Sequence, residues 1–353
     1  METPIRFGLI GAGQIAWYSA SDINQHPHGR VVAATDTNPE RLHKLCHERG
    51  IPKACETAEA VFDDPEVDAV YIAVPNKFHA PLALQALQAG KHVILEKPFA
   101  MNAGEAREVI AAAERAGRVF TLGMNMRFQP DCLRIRELAR SGVLGEIYHG
   151  KAFWFRRSGI PKLGTWFGKR ELAGGGCLYD IGVHLLDLCL FTMGNFEPVS
   201  VTGATYTKFG DRGLGEGGWG HSDREHAGFD VEDFASALIR FANGATVSLD
   251  VSWACHAEEG NRNDVHLYGT EAGARCFPAK LFRHGPATGE HVVVDNPQAP
   301  LGFAPNRFHN FINHLRGEEE LCVKPAEALA VQRVLDAIAE SAASGREVRM
   351  DTV

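Results

Sequence analysis

Residues 5–16 read Ile5-Arg-Phe-Gly-Leu-Ile-Gly11-Ala-Gly13-Gln14-Ile15-Ala16, and this stretch decides the fold. A short apolar run ends in glycine and a helical pattern opens at once. Gly11 permits a tight turn, Gly13 lets the backbone approach a pyrophosphate, and Ala16 allows the helix to pack closely on the strand. The backbone N–H groups near Gln14 and Ile15 and the helix dipole then face the phosphates. Asp36 ends the next apolar run, 25 residues after Gly11. A carboxylate there accepts hydrogen bonds from both ribose hydroxyls and repels a 2′-phosphate, which predicts NAD over NADP. The alternative for Asp36 is a helix-initiating Asx residue before Asn38-Pro39, and Arg41 stands near enough to compensate a phosphate.

The pattern repeats outward from this turn. Apolar runs at 30–35, 69–74, 92–95 and 119–123 fit strands buried on both faces, as in a parallel sheet. Between them, Asn38-Pro39 opens one helix, 79–89 forms a second ended by Gly90, and Asn102 caps a third that stops at Gly117. Strand–helix alternation of this kind predicts a doubly wound α/β domain over 1–124. Beyond it the texture changes. Helices are predicted at 130–140 and 175–193, and strands at 147–155, 199–207, 234–241, 245–253 and 264–268. Asn243-Gly244 between two of these strands is a hairpin signal. Helices at about 307–316 and 325–344 close the chain. The prediction for 125–353 is an α+β domain with an antiparallel sheet.

Composition sets limits. The 353 residues are 45% apolar and 23% charged, which suits a globular chain of two domains. A net charge of -8 argues against nucleic acid or an anionic membrane as partner. No apolar run approaches the ~18 residues of a membrane span, and the N-terminus lacks a signal-peptide order. The eight cysteines contain no C-x-x-C pair and predict reduced thiols in a cytoplasmic protein. His43, Cys46 and His47 form the best metal-like cluster, and a solvated helix face explains them without a metal.

Two clusters carry candidate chemistry. Glu96-Lys97-Pro98 follows an apolar strand, and ligands of open parallel sheets bind beyond the carboxyl ends of strands. Burial there, beside a cationic nicotinamide, disfavours the ammonium form and suits Lys97 to general-base work. A cis Lys97–Pro98 bond would fix its direction. The second cluster is Gly174-Gly-Gly-Cys-Leu-Tyr-Asp180-Ile-Gly-Val-His184-Leu-Leu-Asp187. Asp180 and His184 share a helix face and Asp187 continues the stripe. The triple glycine signals close approach to a ligand or a backbone. Arg156, Arg157 and Trp166 are candidate substrate contacts. If the strand persists, at most one of the two arginines can face the pocket, and the two arginines raise an anionic substrate such as a uronate. The irregular segment 208–228 carries His221 and His226.

Gly11-Ala-Gly13-Gln-Ile-Ala, Ala73-Val-Pro75-Asn76-Lys-Phe-His79, Glu96-Lys97-Pro98, Asn125-Met-Arg127-Phe and the glycine–Asp180–His184 cluster together resemble the glucose-fructose oxidoreductase / inositol dehydrogenase / rhizopine-catabolism family. The resemblance implies a Rossmann domain followed by a domain with a large open, mostly antiparallel sheet. It implies a site lined by Lys97, Asp180 and His184. Ala73, Pro75, Asn76, His79 and Glu96 would lie near the nicotinamide half of the cofactor, and Asn125 and Arg127 near cofactor or substrate. It further implies hydride transfer at a secondary alcohol or ketone of a sugar, cyclitol or sugar derivative, and a homodimer or homotetramer. Redox glycosidases that use NAD transiently, and non-catalytic NAD-sensing regulators, are similar to the same family. Trp17, bulky beside the glycine turn, departs from the commonest pattern.

Overall fold

The computed structural model describes residues 3–218, 222–223, 228–285 and 289–352. Two compact units emerge: Met1–Asn125 with Phe303–Leu329, and Met126–Gly302 with Ala330–Val353. The first alternates β1 (Ile5–Ile10), α1 (Gln14–Gln25), β2 (Gly29–Thr35), α2 (Pro39–Arg49), β3 (Lys53–Cys55), α3 (Ala58–Phe62), β4 (Ala69–Ile72), α4 (His79–Gln88), β5 (His92–Leu95), α5 (Ala103–Ala116) and β6 (Phe120–Leu122). The six strands order as β3-β2-β1-β4-β5-β6, and every pair is parallel. The order reverses between β1 and β4, so the connections leaving their carboxyl ends turn to opposite faces of the sheet and open a crevice there. The expected alternation holds, with β3 added because three residues carry too little periodicity to show.

The second unit contains α6 (Pro130–Arg140), β7 (Ile147–Arg156), α7 (Arg170–Ala173), a wide helical turn at Leu178–Gly182, and α8 (Val183–Met193). There follow β8 (Pro198–Tyr206), β9 (Phe234–Phe241), β10 (Thr246–Ser252), β11 (Asn261–Gly269), β12 (Gly273–Arg275), β13 (Lys280–His284) and β14 (His291–Asp295). After α9 (Arg307–Leu315) and α10 (Pro325–Ser344), β15 (Val348–Arg349) joins the same sheet. Its order is β14-β13-β12-β11-β7-β10-β9-β8-β15, antiparallel except for the β7–β10 pair. Gly150 lets α8 lie against β7: a Cβ there would stand 2.7 Å from Cys189 Sγ. The other face of the sheet carries an aromatic run through Tyr206, Phe234, Phe155, Phe153 and His266.

Two expectations need correction. A single division at residue 124 does not describe the chain, because 303–329 returns to the first unit. Phe308, Phe311 and Ile312 of α9 are fully buried in the core formed by Phe7, Leu9 and Tyr71. Amphipathicity revealed the helix; it could not reveal which core would receive it. Among the described residues there is also one helical stretch, Arg170–Met193, long and apolar enough to cross a membrane by length and composition. Its apolar window is 83% buried inside the fold, where a core helix of a globular domain would be.

Candidate active site

The glycine turn has the geometry its sequence requires. Gly11 adopts φ +102°, and a Cβ there would meet the Ala73 carbonyl oxygen at 2.3 Å. Its N–H donates to Thr35 O, and Ala73 N–H donates to Ile10 O. Gly13 differs: an added Cβ would meet no protein atom within 4 Å. Packing therefore does not demand glycine at 13, whereas close approach of a phosphate does. Gly13 starts α1 without any side-chain cap, so backbone donors remain for an anion. The residues present thus fit a dinucleotide. Gln14 and Ile15 are exposed beside them.

Asp36 makes the helix-initiating Asx bond and also holds the glycine turn. Oδ1 accepts the Asn38 N–H at 2.7 Å, the Asx bond, while Oδ2 accepts the Ala12 N–H at 2.6 Å. It clamps the glycine turn onto the start of α2, and each oxygen keeps a lone pair for a further donor. Trp17 is accommodated by α2. Its indole N–H donates to Glu48 at 2.7 Å, and Arg49 covers the ring at 3.4 Å. Among the described residues no group of His, Cys, Asp and Glu could hold a metal ion, His43, Cys46 and His47 included.

Beyond β5, the Lys97–Pro98 bond is cis. Two neighbours expected near the cofactor are held by bonds to protein groups. His79 is buried, with Nδ1 2.7 Å from Pro98 O and Nε2 3.0 Å from Val74 O. Burial lowers its pKa, although both carbonyls favour a proton. Glu96 is buried too: Oε1 accepts from Tyr71 Oη at 2.5 Å and pairs with Arg307 at 2.7 Å, and Oε2 accepts the Lys97 N–H at 3.2 Å. Arg307 also donates to Gly123 O at 2.8 Å. One guanidinium thus ties together the carboxyl ends of β5 and β6, holding the backbone from which Lys97 projects. Pro75 leads into a 3-10 turn whose Asn76 is buried, while Asn125 is exposed at the end of this unit.

In the second unit, Gly175 and Gly176 are dictated by the protein itself. A Cβ on Gly176 would stand 1.9 Å from Glu232 O, and one on Gly175 would enter the Tyr179 ring. The glycines answer close backbone approach, not a ligand. Glu232 accepts the N–H groups of Gly176 at 2.7 Å and Leu178 at 3.2 Å, anchoring the start of the wide turn. Burial raises its pKa, and those N–H bonds oppose the shift. The turn Leu178–Gly182 is of the i→i+5 kind, a form frequent at functional sites. From residue 175 to 192 every residue is buried except two, Asp180 and His184. The Trp253 indole, itself fully buried, donates to Asp180 Oδ2 at 2.8 Å.

Asp187 does not continue the polar stripe. It is buried and paired bidentately with Arg127, at 2.8 Å through Nε and 2.5 Å through an Nη. Arg127 is 0% exposed and packs on Phe191, which removes it from the expected substrate contacts. Arg157 is removed as well: exposed, it donates to the carbonyls of Ala257 and Glu258. Arg156 lies half-buried against the Trp154 ring. Trp166 stacks on Phe167 with ring centres 3.8 Å apart. Asp233 accepts N–H bonds from Lys208, Phe209 and Gly210 at the root of the irregular segment. His221 and His226 lie outside the described residues.

Comparison with known proteins agrees with this architecture. Residues 5–124 match the model of an oxidoreductase family with an NAD-binding Rossmann fold, and 132–275 match the GFO/IDH/MocA C-terminal domain. The chain is 32% identical to D-glucoside 3-dehydrogenase of Escherichia coli K12, covering 99% of this chain and 98% of that protein. It belongs to the GFO/IDH/MocA oxidoreductase family. Another relative of this GFO/IDH/MocA protein is 1,5-anhydro-D-fructose reductase of Ensifer adhaerens, 30% identical over 91% of this chain and 84% of that one. An NAD-binding protein from Listeria innocua superposes with a TM-score of 0.81 at 27% identity, over 98% and 97% of the two chains.

Arg307, Tyr71, Trp253 and Glu232 were missed in the sequence. Arg307 lies 184 positions from Gly123 and Trp253 lies 73 from Asp180, so no local pattern joins them. Trp253 reads as an ordinary core aromatic at a strand end.

Proposed function

We propose that the protein is an NAD-dependent dehydrogenase or reductase acting on one secondary alcohol or ketone of a sugar, cyclitol or sugar derivative. One observation carries the reading: within the buried stretch 175–192, only Asp180 and His184 remain accessible, four residues apart and with Asp180 oriented by Trp253. Relatives named for a D-glucoside and an anhydrofructose support a pyranose-like substrate. The clearance at Gly13 supports a dinucleotide, and the carboxylate of Asp36 supports NAD over NADP.

NAD held by the glycine turn would accept the carbinol hydrogen as hydride. In oxidation, Lys97 takes the hydroxyl proton at Nζ, directly or through His184. Asp180 orients the hydroxyl and His184. In reduction Lys97 returns the proton. Glu96 and Arg307 keep the Lys97 backbone in place. The aromatic face of the nine-stranded sheet supports a homodimer or homotetramer.

The test is a panel of glycosides, cyclitols and uronates with NAD and with NADP, followed by nicotinamide absorbance. NAD-linked turnover of a pyranoside or cyclitol is expected, with Lys97→Ala lowering kcat by ~10²–10⁴-fold. Absence of turnover across the panel, or a fully active Lys97→Ala, overturns the reading.

A further inference from the structure

Arg156 is the one sequence-predicted arginine that remains available. Its guanidinium carbon lies 4.4 Å from the centre of the Trp154 ring. Trp154 is in turn fixed by its indole N–H, which donates to Asn261 Oδ1 at 2.8 Å. Gly159 makes room: a Cβ there would stand 2.4 Å from Arg156 Cδ. Gly159 thus packs on the stem and Trp154 on the guanidinium. Among the described residues its guanidinium makes no hydrogen bond and no ion pair, while its carbonyl accepts from Cys255. Burial lowers its pKa, and the charge of Asp180 partly opposes this. Geometry brings the two groups together: Phe155 pairs with Ser252, so Arg156 stands at the strand end beside Trp253, whose indole N–H donates to Asp180 Oδ2 at 2.8 Å, and Asp180 makes no ion pair with Arg156.

We propose that Arg156 is a specificity-determining residue that donates to a substrate hydroxyl whose own proton is accepted by Asp180. A guanidinium only donates and a carboxylate only accepts, while a hydroxyl does both and can bridge them. An anionic group would gain from Arg156 and be repelled by Asp180, and a cationic group the reverse. The pair therefore selects a neutral polyhydroxylated ring over the uronate that an arginine at first suggests. The cation–π contact holds the guanidinium plane before substrate arrives, which lowers the ordering cost of each bond formed.

The inference rests on the proposed sugar substrate, and a double cycle tests it. Wild type, Arg156→Met and Arg156→Lys are compared on methyl β-D-glucopyranoside, its 2-, 4- and 6-deoxy analogues and methyl β-D-glucuronide. In wild type, deleting one hydroxyl is expected to lower kcat/KM by ~10–100-fold, the range for losing a hydrogen bond to a charged group. In Arg156→Met the same deletion should cost under ~3-fold, with the loss on the parent glucoside carried by KM. Arg156→Lys should restore part of the discrimination. The same cycle run by calorimetry, on sugar binding to the protein with NAD, needs no turnover. Wild type that binds without oxidising sinks the functional reading, and the binding cycle then judges Arg156 alone. Equal discrimination in wild type and Arg156→Met, a preference for the glucuronide lost in Arg156→Met, or no sugar binding at all overturns the assignment.

Discussion

Replacing Gly13 by alanine separates the demands of a ligand from those of packing. Gly13 has φ −70° and ψ 176°, an extended conformation open to any residue, and an added Cβ touches no protein atom within 4 Å. Alanine is a poorer helix N-cap than glycine by ~0.5–1 kcal/mol, while the loss of unfolded-chain entropy returns ~0.4–1 kcal/mol. Stability of Gly13→Ala should therefore stay within about 0.5 kcal/mol of wild type. The dinucleotide should bind ~10–100-fold more weakly, since the methyl group displaces a phosphate from a backbone N–H bond worth ~1.5–3 kcal/mol. Gly11→Ala is the control. There a residue forced to φ +102° costs ~1–3 kcal/mol, and its Cβ, 2.3 Å from the Ala73 carbonyl, must displace the backbone just after β4. Melting should fall by several degrees for Gly11→Ala alone. Thermal melting without cofactor and NADH titration by fluorescence measure both properties. Gly13→Ala that binds NADH as wild type does would refute the argument that a ligand fills this space.

Arg307→Met should destabilise the protein by about 3–5 kcal/mol, because it strands the buried Glu96 carboxylate and the Gly123 carbonyl. Adding Glu96→Gln should recover part of the loss in urea unfolding; a double variant less stable than Arg307→Met would sink the pairing argument. His92 provides a pH test. Burial, aided by the charge of Arg118, lowers its pKa from 6.5 to about 4, and neutral Nδ1 accepts the Val119 N–H at 3.0 Å. The folded value lies below the unfolded one, so this stability is full above pH ~6.5 and is lost as pH falls through about 4. At ~1.4 kcal/mol per pH unit and reduced for partial exposure, that is about 1–2 kcal/mol. His92→Asn, whose amide oxygen can accept the same N–H, should flatten the urea-unfolding stability between pH 7.5 and 4.5 by that amount. An unchanged pH dependence would count against it.

The sequence by itself determined what local chemistry controls. The run Ile5–Ile10, the positive-φ Gly11 and the small Ala16 specify a strand, a turn and a helix within a dozen residues. Asn38, Asn102 and Gly117 mark helix ends through bonds to neighbours three or four positions away. The i, i+4 spacing of Asp180 and His184 places them on one face because helix geometry is local. Even so, a stripe pattern put Asp187 with them, when its carboxylate is sealed against Arg127.

Only the tertiary structure decided which polar groups remain available. Glu96, His79 and Arg127 look as functional in sequence as Lys97 or Arg156, yet the fold spends them on Arg307, on two backbone carbonyls and on Asp187. The reason is that burial makes an unmet polar group costly, and its partner is whatever the folded chain brings close, at any separation in sequence. For the same reason α9 joins the first unit: the chain's order leaves open which core takes its apolar face, and burial of Phe308, Phe311 and Ile312 beside Phe7 settles it.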